Sequence, residues 1–238
     1  MARMFRASIT WFGAYLAHPR LITPAPLRQG WREWAVLVAL YLAGLAIIGA
    51  LLALWQSVFH LPRAEAFKGF SPAVLALAVV LAAPVGEEVL FRGWLTGRPR
   101  ALWLLAMALL AAGLLTAVSL HWHDEAASLG VLATGLAALI GWLALRRRTT
   151  PLRWFASGFA VWFYLSVAVF ALLHLSNYPH VSWALVPMVL PQAWAGLVFG
   201  FVRMRHGLWA AILAHEIGKR RVGKECLRLC RSRWSPYH

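Results

Sequence analysis

Acidic residues are scarce in this chain: eight Asp and Glu stand against 23 Lys and Arg, and charged residues of all types make up only 13% of its 238 positions. A soluble domain carries about twice that charge, so an ordinary water-soluble fold is excluded. Cysteine is nearly absent as well. Cys226 and Cys230 both fall in the C-terminal tail, which leaves no basis for a disulfide framework or a thiolate metal site. No HExxH spacing occurs, and residues 1–30 lack the apolar core and small-residue cleavage site of a secretory signal. The net charge of +15 does not mark a nucleic-acid binder, because most Lys and Arg lie in short loops between apolar runs, where membrane topology accounts for them.

What the chain has instead is apolar length, with 61% of its residues hydrophobic. Runs of spanning length recur, predicting an all-α, polytopic transmembrane bundle of about six full spans and a short seventh. The spans are expected at about 34–59, 71–97, 101–120, 127–145, 155–175 and 183–202, followed by a run at 207–217 that is too short to cross alone. Residues 1–33 read as a basic amphipathic arm and 34–217 as the membrane domain. Arg98 and Arg100, Arg146 to Arg148 with Arg153, and Arg203 with Arg205 share one side with the arm, which predicts a cytoplasmic N-terminus in a cell (inner) membrane. Residues 218–238 break that pattern, since their many Lys and Arg would follow a helix heading outward. Either the last run is re-entrant or the tail is foreign to the fold, and the charge rule favours the second.

The second span carries Pro84-Val85-Gly86-Glu87-Glu88-Val89-Leu90-Phe91-Arg92-Gly93. Each ionisable group at such depth costs about 2.5 to 3.5 kcal/mol, so three in one helix point to a site. Pro84 should bend the helix just before them. Glu88 and Arg92 are spaced to pair one turn apart. Glu87 is left over, with Phe91 as its own fourth neighbour, and a lone carboxylate in a dry place suits a general base. His174, His215 and Glu216 are the other ionisable groups inside or at the ends of spans. Two imidazoles and a free carboxylate from three helices can activate water, directly or through a divalent metal, and can donate to an oxyanion.

These motifs resemble those of the CAAX protease and bacteriocin-processing family of intramembrane proteases, EExxxR, FxxxH and HxxxN on successive membrane helices. The first is complete from Glu87 to Arg92, and the second from Phe170 to His174. The third begins at His215, but Lys219 stands where the family has Asn, leaving the oxyanion donor set incomplete. The resemblance implies Glu87 as the base on water, His174 as its partner, His215 as the oxyanion donor, and Glu88, Arg92 and Phe170 as support. The expected activity is intramembrane endopeptidase hydrolysis of a membrane-associated protein or peptide, with the bilayer as the other partner and no nucleic acid. A metal-free mechanism is favoured; a zinc ion, if one took part, would have Glu87, His174 and His215 as ligands. The alternatives are an inactive relative acting as an adaptor, and a transporter using Glu87 as a proton relay, for which no inverted repeat is visible. One geometric conflict stands: counted by helix rise from full crossings, Glu87 lies roughly 10 Å from the cytoplasmic face, while His174 falls near the outer one.

Overall fold

The computed structural model describes residues 2–62, 64 and 82–219. Among them every regular element is helical: α1 (Ala2–Ala17), α2 (Leu27–Val58), α3 (Ala83–Arg92), α4 (Pro99–Ser119), α5 (Asp124–Ala144), α6 (Arg153–Ser157), α7 (Phe159–Leu173), α8 (Leu190–His206) and α9 over 208–219. Short 3₁₀ stretches occupy Gly93–Thr96, His174–Asn177 and Trp183–Val189. Among the described residues five segments are long and apolar enough to cross a membrane: Leu27–Val58, Pro99–Ser119, Asp124–Ala144, Phe159–Asn177 and Trp183–His206. Residues 71–81 of the expected second span lie outside the described residues. α9 rises only about 18 Å, short of the roughly 30 Å of a bilayer core.

The expected fifth span is divided: α6 ends at Gly158 and α7 starts anew. The expected sixth begins in 3₁₀ form around Pro187 before α8 takes over. Pro84 sits in the first turn of α3, where a missing N–H breaks no helical bond, and the residues that would show a bend lie outside the described ones. Gly97, at φ +63°, turns the chain between α3 and α4, and a Cβ there would enter the ring of Phe155. At the same turn Leu152 N–H donates to the Gly97 carbonyl at 2.9 Å, which gathers 97–99 and 145–153 at one end of the bundle. The bond from Ala25 N to Arg205 O adds 206–207 to that basic end.

An aromatic core holds α1, α2, α7 and α8 together. Phe155, Phe159, Phe163 and Phe170 pack towards Phe199 and Phe201, all 2% exposed or less. The arm joins this core, with Tyr15 set 4.9 Å and Phe12 5.3 Å from the ring of Phe201. α4 and α5 behave differently. They pack almost wholly against each other, tied by the bond from Trp103 Nε1 to Ala137 O at 3.1 Å, and α4 buries no residue at all. Their link to the rest is the Gly93–Thr96 turn.

α2 and α8 meet closely at Gly44, where a Cβ would fall inside the Trp194 indole, whose N–H donates to Tyr41 O at 3.0 Å. Gly44→Ala is therefore expected to lower stability by about 1 to 3 kcal/mol through overpacking. Gly49→Ala, one turn on in open space, should be near neutral. Thermal unfolding of the two variants in detergent separates them, and equal midpoints would refute the close contact.

Candidate active site

α3 brings its charged residues inward and its last carbonyls outward to waiting donors. A helix end leaves carbonyls unpaired; here Ser166 Oγ of α7 donates to Phe91 O at 2.7 Å, and Arg203 Nε of α8 donates to Arg92 O at 3.1 Å. These two bonds fix the register of α3 against its neighbours. They also remove the conflict raised by helix rise. Ser166 is level with Phe91, so His174 is roughly 12 Å farther along α7 and Glu87 roughly 6 Å back along α3, both on the side away from the basic end. Counting from full crossings failed because the 3₁₀ turn after Arg92 and the α6 break put the two helices in a different register.

Glu88 and Arg92 are fully buried, and Arg92 Nη1 donates to Glu88 Oε1 at 2.9 Å, as their spacing predicts. The same oxygen accepts His215 Nδ1–H at 2.9 Å. Phe170 supports this pair from beneath: the Arg92 guanidinium carbon is 4.0 Å from its ring centroid. The Phe170 ring also meets Phe91 at 5.1 Å and His174 at 4.8 Å. His215 is stacked on Phe199 at 4.9 Å. With Nδ1 turned to Glu88, its Nε2 faces Glu87 Oε2 at 3.6 Å, too long for a hydrogen bond.

Glu87 is not the lone carboxylate that local spacing suggests. Lys219 Nζ donates to its Oε1 at 2.8 Å, with both side chains 22% exposed. The partner comes from 132 positions away, so no helical rule could supply it. α9 runs through Lys219, and residues 220–238 of the expected tail lie outside the described residues. α9 is anchored to α2 by the bond from Trp34 Nε1 to Ala210 O at 2.9 Å and by Gly218 against the Tyr41 hydroxyl.

His174 Nδ1–H donates to Phe170 O at 2.7 Å, which leaves Nε2 as its acceptor nitrogen. The ring lies within electrostatic reach of Glu87, Lys219 and His215. Glu216, on α9 beside His215, engages a partner of its own. Three residues that motif reading passed over belong to the surroundings. Tyr41 lies within electrostatic reach of both glutamates with its ring 4.6 Å from Phe199, and Ser166 and Arg203 hold the end of α3. A tyrosine alone in the apolar run of α2 was the available signal.

Glu87 Oε2, Glu88 Oε2 and Arg92 Nη2 are buried without a hydrogen-bond partner among the described residues. Such atoms take up water or ligand groups. Among the described residues no three His, Cys, Asp or Glu side chains are grouped to hold a metal ion. Chemically, the cluster offers a carboxylate, two imidazoles and an ammonium around unfilled polar atoms, a set able to move a proton and to stabilise an anion.

A family model described as type II CAAX prenyl endopeptidase Rce1-like matches residues 69–156 and 147–217. No curated protein and no solved structure matches the chain.

Proposed function

From the premise that this chain belongs to the type II CAAX prenyl endopeptidase Rce1-like family of membrane proteases, we propose that it is an intramembrane endopeptidase that hydrolyses a membrane-associated protein or peptide with water activated at Glu87. One observation carries the reading. Glu88 is clamped between Arg92 and His215, which presents His215 Nε2 to Glu87 Oε2 at 3.6 Å.

In this reading Glu87 Oε2, unbonded in the structure, takes a proton from water while His174 Nε2 orients that water. Hydroxide adds to the scissile carbonyl, and His215, in its imidazolium form with Nδ1–H held by Glu88, donates Nε2–H to the oxyanion. The proton on Glu87 passes to the leaving nitrogen as the C–N bond breaks, giving a carboxylate and an amine. No metal enters this scheme. The multi-pass chain would lie in the cell (inner) membrane with its basic end towards the cytoplasm, as its Lys and Arg distribution favours.

A second reading, a catalytically silent relative acting as a membrane adaptor, is favoured by the ion pair between Lys219 and Glu87. Peptide termini in the membrane and secreted fractions of the native host separate the two. Glu87→Gln should let an uncut precursor accumulate, with cleavage lowered by about 10²- to 10⁴-fold. Identical termini in both strains would sink the protease reading for the chain as it stands.

A further inference from the structure

A second polar cluster lies at the basic end, away from Glu87. α1 and the first turns of α2 enclose a cavity of about 680 Å³ whose walls include Trp11, Arg28, Trp31, Arg32, Glu33 and Arg205. Arg205 forms its floor. Its Nε and Nη2 grip Glu33 at 3.0 to 3.3 Å, and its guanidinium carbon is 4.2 Å from the Trp11 ring centroid. That carboxylate is spent on Arg205. Arg28 and Arg32 meet no carboxylate among the described residues; Arg32 only leans on Trp31, at 5.4 Å. The lining thus holds three permanent positive charges against one negative.

The backbone is shaped to keep this cavity open. α2 departs from helical geometry at Gly30 (φ −113°, ψ 15°), and the buried imidazole of His206 occupies the space where a Cβ at that position would lie. Any side chain at 30 would push against His206. Exposed Trp11 and Trp31 beside arginines that meet no carboxylate among the described residues, at the end where the membrane-length helix α2 begins, mark the depth of lipid headgroups.

We propose that this cavity binds a phosphate group, with membrane phospholipid as its source. Guanidinium forks match phosphate oxygens two at a time, and the volume suits a headgroup better than a bare ion. The inference is independent of the hydrolytic reading.

The test is native mass spectrometry of the full chain with dioleoyl-phosphatidylglycerol or dioleoyl-phosphatidylcholine. Phosphatidylglycerol should be retained by the unaltered protein and bound roughly 10- to 30-fold more weakly by Arg28→Gln/Arg32→Gln. Arg146→Gln/Arg147→Gln, at the same end but outside the cavity, should bind as the unaltered chain does. Equal retention by the Arg28/Arg32 pair variant, or an equal loss in the control, would overturn the proposal. Inorganic phosphate is the second arm. Failure to displace the lipid supports the membrane source; displacement at comparable concentration would overturn that source. Arg28→Lys/Arg32→Lys keeps the charge but not the guanidinium fork and should bind between the unaltered chain and the Gln pair, which separates lost recognition from lost folding.

Discussion

Cleavage of a membrane-associated peptide should rise by about 10²-fold when Lys219 is replaced by Asn. The Lys219 ammonium engages Glu87 Oε1 at 2.8 Å, on the side chain proposed to receive the proton of water. Asn carries no charge and so cannot hold that carboxylate as an ion pair, and its carboxamide N–H can serve a developing oxyanion. Lys219→Met removes the charge without adding a donor, so the difference between Asn and Met measures the donor alone. The double variant Lys219→Asn/Glu87→Gln should return to background. Purified protein in lipid vesicles, with product termini read by mass spectrometry, provides the comparison. If Lys219→Asn is less active than the unaltered chain, the ammonium is itself part of the chemistry, and the reading that its ion pair with Glu87 holds activity down fails.

The largest expected effect on stability lies at Arg92. Arg92→Met leaves the Glu88 carboxylate fully buried with only His215 beside it, a change of about 3 to 5 kcal/mol for a broken buried pair. Against a typical total of about 5 to 15 kcal/mol, that is enough to lower abundance in the membrane sharply. The contact with Phe170 would be lost at the same time. Glu88→Gln leaves the buried Arg92 guanidinium without its counter-charge, so it should also cost about 3 to 5 kcal/mol even though the amide oxygen can still accept from both neighbours. Combining Arg92→Met with Glu88→Met should recover most of the loss, since no unpaired charge then remains. Thermal unfolding in detergent measures all three variants, and an additive double variant would show that the two side chains do not depend on each other.

The Glu88–Arg92 pair was legible because a helix places fourth neighbours together, and the all-helical, membrane-length character of the chain was legible from apolar length alone. The family resemblance rested on short motifs whose residues the fold does gather around one cluster. What stayed hidden was set by distant contacts. Arg203 looked like a loop charge serving topology, yet it closes the end of α3. Tyr41 looked like one more residue of an apolar span, yet it borders both glutamates. Lys219 looked like the beginning of a foreign tail, yet it is the last described residue of a packed helix and the partner of Glu87. The register of α3 against α7 depends on two hydrogen bonds that no periodicity encodes, which is why helix counting misplaced Glu87 relative to His174.

The α4–α5 hairpin, which buries so little, has a consequence for how the chain can change over time. Where side chains face only lipid or one neighbouring helix, Leu, Ile, Val and Phe are interchangeable at little cost, because transfer into hydrocarbon distinguishes them weakly. Selection on α4 therefore acts on composition rather than identity, while each buried position of α3 admits almost one residue type. Mutational scanning should find these two helices, adjacent along the chain, near opposite extremes of tolerance, with the boundary at Gly97.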